Sequence, residues 1–285
     1  MKRILLALGF IFFSTGCTEN KQEVDLKTTN IEIKVGEPAK DFEKKYRDIA
    51  TIDRQPAGAN FYKIDWSMRN KGTVLLKNEA HSITIKNAIG FTGVELQNAP
   101  DEGLSDLSII SSPVRPEGIT HREALHEFVS ILHQAMQAGW RPIISLSAPR
   151  IKGQQMLQYQ LLKDEYVTLD GSYSPNLDEW MQLKNLSSWE FHNNGVFLKI
   201  NFNRNQELLD PTKTGVYLFN FYFKSSDEYF KQYVDPMKKA QWRDQFKLEL
   251  EKLKLARVKA EVDAINDGFQ VDKGYIDPLP RFLME

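Results

Sequence analysis

The sequence predicts an α+β fold, with antiparallel sheet or sheets, packed helices and a long C-terminal helix. Three observations predict it. Short segments rich in Ile, Val and Thr, bounded by Gly, Pro, Asn and Asp, recur between Thr73 and Ile110, as the strands of a meander do. Asn194-Gly195 stands between two alternating runs and accepts the positive backbone dihedrals of a two-residue type I′ hairpin. From Asp235 to Asn266 the chain is rich in helix formers and has one proline, at its start, where a helix tolerates it.

Taken in order, Met1-Lys2-Arg3 form a positive n-region, the apolar run Ile4 to Phe13 an h-region, and Ser14-Thr15-Gly16 a set of small residues before Cys17. The apolar run is too short to cross a bilayer, which takes about 20 helical residues. This layout resembles the lipobox of bacterial lipoproteins, although Ser14 stands where that family prefers Leu. The resemblance implies a signal peptide over residues 1–16, cleavage before Cys17, and lipidation of Cys17 by diacylglycerol and a further acyl chain such as palmitate. Several acyl chains anchor stably. Thr18, where an enteric lipoprotein retained at the inner membrane has Asp, implies the outer membrane, with the domain facing the periplasm.

Residues 17–58 are polar and are expected to be the lipidated cysteine and a tether, although Ile31 to Val35 alternates as a short strand would. Gln55-Pro56-Ala57-Gly58 is a turn-rich break. A globular domain is expected over 59–285, with a division into two sub-domains possible near 150–175. Within it, Thr73–Asn78, His81–Ala88, Phe91–Gln97 and Ser105–Ile110 are the expected strands. Thr120 and Glu123 have the spacing of a capping box, followed by Leu125, Phe128, Val129, Leu132 and Met136 on one helical face. Gly139 is placed to close that helix in the left-handed conformation, with Trp140 packing back on it. Pro142 to Leu146 reads as a returning strand.

Counting outward from Asn194-Gly195 pairs Asn193 with Val196, His192 with Phe197, Phe191 with Leu198, Glu190 with Lys199 and Trp189 with Ile200. That register sets opposite charges across the ladder and puts Trp189, Phe191, Leu198 and Ile200 on one face. Gly215 to Phe223 carries Tyr217, Phe219, Phe221 and Phe223 on one side and Val216, Leu218 and Tyr222 on the other, which predicts a central strand covered on both faces. The long helix, from Asp235-Pro236 to Asp267-Gly268, has two apolar stripes: Phe246, Leu250, Leu253, Ala260 and Ala264, then Leu248, Leu255, Val258, Val262 and Ile265. Without a strict heptad over all of these positions, packing along the sheet is expected rather than a coiled coil.

The formal charge of −1 becomes −3 when removal of residues 1–16 takes away Lys2 and Arg3, so no affinity for nucleic acid is expected. With one cysteine, Cys17, in 285 residues, an intramolecular disulfide and a multi-cysteine metal site are excluded. The chain has none of the Gly-x-Ser-x-Gly, P-loop, Gly-x-Gly-x-x-Gly or His-Glu-x-x-His motifs. His126-Glu127 comes nearest to the last, but the next histidine is His133, and ligands on a helix converge at i, i+4. The acids of Asp164-Glu165, Asp178-Glu179 and Asp227-Glu228 suit helix N-termini. No catalytic residue, cofactor or metal site is expected, and the chain is read as a non-enzyme.

The strings Ala138 to Pro142, Pro149 to Gly153, Leu177 to Trp180 and the hairpin from Trp189 to Arg204 resemble a group of proteobacterial lipoproteins specified beside antibacterial effectors of the type VI secretion system, lipases among them. The likeness covers roughly Gly118 to Phe223 and implies a periplasmic immunity protein that binds and neutralises a toxin. The expected partner contacts are then the acidic loop at Asp101 and Glu102 and the basic turn at Arg150 and Lys152. An envelope assembly or structural lipoprotein without catalytic activity has the same anchor, and a hydrolase with dispersed carboxylates is the third reading.

Overall fold

A computed structural model describes residues 30–56, 58–115 and 117–284 of the chain. Cys17, the signal segment and the first part of the expected tether lie outside the described residues.

The fold is α+β. Strand β1 (Asn30–Ile33) leads through helix α1 (Ala39–Lys45) to β2 (Thr51–Arg54), β3 (Ala59–Asp65), β4 (Gly72–Leu76), β5 (Ile83–Leu96) and β6 (Asp106–Ser111). The short β7 (Ile119–Thr120) runs into helix α2 (His121–Gln137), and β8 (Arg141–Pro142), α3 (Gln154–Lys163), β9 (Thr168–Leu169) and α4 (Leu177–Gln182) follow. The hairpin of β10 (Ser188–Asn193) and β11 (Val196–Arg204) precedes β12 (Thr214–Gly215), β13 (Tyr217–Ser225), α5 (Ser226–Lys231) and the long α6 (Trp242–Asn266). Eleven strands form one sheet, ordered β1-β4-β5-β6-β13-β11-β10-β8, with β3 also on β5, β2 on β3 and β9 on β10. Its pairings are antiparallel except β1 with β4 and β9 with β10.

Cross-strand registry explains why one face of this sheet is the core. Partners directly opposite share a face, so Leu169, Trp189, Ile200, Phe221, Ile109, Phe91 and Ile64 make one continuous apolar row across the strands. All are buried. Helix α2 lies over this face, and its Phe128 ring sits 4.7 Å from Trp189, 5.1 Å from Phe219 and 5.3 Å from Trp180. The opposite row, Glu190, Lys199, Tyr222, Ser108, Thr92 and Lys63, is polar. A corner of this second face carries its own apolar cluster, where Phe197 meets Tyr229 and Phe230 of α5 and the cluster continues to Phe246 and Leu250 of α6.

The hairpin register matches the expected pairing at every position from Asn193–Val196 to Trp189–Ile200, with Asn194 and Gly195 at φ 46° and 74°. Helix α2 is capped as expected: Thr120 Oγ1 accepts from the Glu123 amide and the Glu123 carboxylate accepts from the Thr120 amide. At its other end Gly139 has φ 89°, and the Trp140 amide donates to Ala135 O.

Five expectations need correction. The tether does not extend to residue 58: β1 pairs with β4, Ile31 and Ile33 are buried, and Phe42 of α1 stacks on Phe91 at 5.3 Å. Five buried side chains, Ile31, Ile33, Ala39, Phe42 and Tyr46, suffice for this in a polar stretch, because the rest of the core supplies their surroundings. The two strands expected over 81–97 are one, β5, in which Asn87 has φ 56° and the register shifts between Ala88 and Gly90; a bulge bends a strand without ending it. Beyond Pro142 the chain leaves the sheet edge, and Ile143 and Leu146 turn into the second cluster. Strand β13 is central, but its reverse face is half open at Leu218 and Tyr222, since its neighbours there are polar. The long helix begins with a 3₁₀ segment, Pro236–Gln241, and the backbone bends at Gln241 so that Trp242 is buried.

Candidate functional site

The expected contact residues separate into distinct places. Asp101 is exposed on a 3₁₀ turn, Pro100–Glu102. Glu102 beside it turns toward α5, where Lys231 Nζ donates to both of its oxygens at 2.9 Å and to Glu228 at 2.8 Å. Both cations of the basic turn are paired within the chain. Arg150 donates to Glu261 of α6 from Nε at 2.6 Å and from Nη2 at 3.0 Å, and Lys152 pairs with Asp272. These two cations fasten α6 and the C-terminal segment to the body, a structural role that stands beside the expected one as partner contacts. Nothing in the spacing of Arg150 and Lys152 indicated partners 111 and 120 residues further along the chain.

Two of the open concavities at the sheet combine polar groups from several elements. The first, about 600 Å³, lies between the outer side of α2 and β5, and Lys86, Asn87, His126, Glu127, Ser130 and His133 are among its lining residues. His126 and His133 are exposed, and His133 Nε2 lies 3.1 Å from Ser174 Oγ. No group of three or more His, Cys, Asp and Glu side chains arranged to hold a metal ion occurs among the described residues. The cleft therefore offers separate hydrogen-bonding groups in place of a converging ligand set.

The second concavity, about 930 Å³, is at the tip of the β10–β11 hairpin. Glu102, His192, Phe197, Asp227, Arg243 and Phe282 line it, so aromatic surface and both signs of charge lie together. Its walls are the hairpin turn, the start of α5, the start of α6 and the C-terminal segment. Burial pushes the His192 imidazole below its ordinary value, and the Arg141 charge acts in the same direction. At neutral pH that ring is uncharged and presents one donor and one acceptor. Asp227 and Arg243 pair across the surface at 3.4 Å. Such a surface can bury an apolar side chain while pairing a charge beside it, as protein interfaces do.

A third polar cluster is closed. His121 at the start of α2 is buried, with Nδ1 2.5 Å from Tyr217 Oη, and Trp180 Nε1 donates to the same hydroxyl at 3.3 Å. Arg204 donates to the carbonyls of Trp180, Met181 and Leu183, which are the orphan acceptors at the end of α4. A Cβ at Gly215 would lie 2.8 Å from the His121 ring, so the cover is tight. The cluster positions α2 against α4 and β13. Its sequence signal was slight: a histidine one residue past a helix cap, and an arginine at the end of a strand.

The chain was compared with protein-family models, with curated proteins and with solved structures, and nothing matched in any of the three.

Proposed function

We propose that this chain is a membrane-anchored periplasmic lipoprotein that binds and neutralises an antibacterial effector. The observation that carries the reading is the groove at the hairpin tip, which combines Phe197 and Phe282 with Glu102, Asp227 and Arg243 on regular elements. A cleft of mixed character held by a hairpin and two helices suits the insertion of a loop from a folded partner. The signal layout ending at Cys17 supports the envelope location. Neutralisation then works by occlusion: the partner's active-site loop is held in the groove and the body of the sheet blocks access to it.

The decisive experiment is a contact-dependent competition on a solid surface. A strain lacking this gene is set against its parent, with the parent's secretion apparatus intact or disabled. Death of the deletion strain only when the apparatus works is the expected result, and a chain carrying Arg281→Glu at the groove rim restores protection less well than wild type. Equal survival in both cases overturns the reading and leaves envelope assembly as the function to test.

A further inference from the structure

Helix α6 keeps one of its two apolar stripes away from the body. Phe246, Leu250 and Ala264 are buried, and Arg257 points inward to donate to Ala148 O at 3.0 Å and Ser145 O at 2.8 Å. On the other side Leu248, Leu255, Val258, Val262 and Ile265 are all more than half exposed, from 53% at Val262 to 72% at Leu255. Isolated exposed aliphatics are ordinary, but a contiguous set marks an interaction surface. The inner face is fixed by Arg150–Glu261, Arg257–Asp277 and Lys163–Asp267, so the helix cannot rotate to hide the outer stripe without breaking these ties.

The spacing of this stripe identifies its complement. Leu248, Leu255 and Val262 recur every seven residues, and Val258 and Ile265 fall three residues after the second and third of them. That is the a and d pattern of a helix that packs on another helix. Glu251 occupies the remaining d position, held by Lys254 at 2.9 Å. A carboxylate in mid-stripe is costly against lipid, whereas a coiled coil tolerates a single polar core position and uses it to set register. The flanking positions are Lys247, Lys252, Lys254, Lys259 and Glu261, and Glu261 is already engaged by Arg150. In a parallel pair of identical helices Lys247 faces Lys252 and Lys254 faces Lys259. In an antiparallel pair centred on Leu255 and Val258, Lys252 faces Lys259. The parallel pairing opposes like charges twice, and in the antiparallel one Lys252 opposes Lys259 while the facing Lys254 and Glu261 have to compete with Arg150 for the carboxylate. With residues 1–16 removed as the signal layout implies, residues 18–29 keep only Val24 and Leu26 as large apolar side chains, too few to fill five positions.

We propose that the outer face of α6 docks an amphipathic helix of a partner protein, with apolar residues at heptad spacing and acidic residues on its flanks. This inference stands apart from the immunity reading and survives if that reading fails. Two synthetic helical peptides test it, each about three heptads long with Leu and Ile at the core positions, one flanked by Glu and the other by Lys. Fluorescence anisotropy with the full chain gives roughly tenfold tighter binding of the Glu-flanked peptide. Lys252→Glu with Lys259→Glu reverses the preference. Leu255→Ser with Val262→Ser weakens the Glu-flanked peptide by about tenfold at unchanged thermal melting. Equal affinity for the two peptides, or no loss in the serine variant, overturns the proposal. So does a dimer by sedimentation that Leu255→Glu abolishes, which assigns the face to a second copy, or binding to phosphatidylglycerol vesicles lost in the serine variant, which assigns it to lipid.

Discussion

Helices α2 and α6 are the two longest helices among the described residues, and both carry apolar residues at helical spacing. In α2 the apolar residues form one stripe, with Phe128, Leu132 and Ala135 buried against the sheet and His126, Ser130, His133 and Gln137 exposed opposite. In α6 they form two stripes, of which one is buried and the other is open. The attachments differ as well. Helix α2 is held by aromatic packing, whereas α6 combines apolar packing of Trp242, Phe246 and Leu250 in its first half with ion pairs from Arg257, Glu261 and the capping Asp267 at its far end. The difference teaches that an apolar stripe states a demand for a partner surface, and that the partner need not belong to the same chain.

The sharpest break of this comparison is Phe128→Ala. The ring is fully buried and touches four aromatic neighbours, so its loss costs about 3–5 kcal/mol in urea unfolding. Next comes Arg257→Ala. That guanidinium bonds two backbone carbonyls and both oxygens of Asp277 from a buried position, and its removal leaves these acceptors without a donor, at a cost of about 3 kcal/mol. Proteolysis of this variant begins in α6 and the C-terminal segment before the sheet opens.

Acidification separates the two helices further. Burial, with the Arg204 charge acting the same way, holds His121 below its ordinary value of 6.5. Below pH 6.5 the unfolded chain binds a proton that the folded one does not, so stability falls as pH drops. Hydrogen bonding from Arg150 holds Glu261 below its ordinary value of 4.5. Its contribution is complete above pH 4.5 and is lost as pH falls through the folded value. Urea unfolding of His121→Gln therefore shows a flatter profile just below pH 6.5, whereas the deficit of Glu261→Gln narrows only below pH 4.5. The smallest effect is that of Leu255→Ser, within about 0.5 kcal/mol of wild type; a large loss there would mean that the outer stripe is covered by this chain itself.

Much of the fold was legible in the sequence because its signals are local. The register of β10 and β11 follows from Asn194-Gly195, since a two-residue turn leaves one pairing. The limits of α2 follow from Thr120, Glu123 and Gly139, which satisfy backbone groups within a few residues of themselves. The candidate sites were far less legible. Glu102 meets Lys231 and Arg150 meets Glu261 across more than a hundred residues, and a charge in a sequence carries no mark of whether its partner is solvent, another protein or a distant helix. His121 is marked in the sequence only by its place between Thr120 and Glu123 of the capping box, and its burial under Gly215 depends on a strand that the chain reaches much later.

By itself the sequence determined the α+β class, the capped helix, the hairpin and its register, and the two stripes of α6. Each is a matter of period, turn chemistry or capping, which act over a few residues. The tertiary structure alone decided that residues 30–56 join the core, that β5 is one bent strand, that Arg150 and Lys152 are fasteners, and which stripe of α6 is turned outward. These depend on contacts between segments far apart in the chain, where burial is settled by the surface that the rest of the fold leaves available.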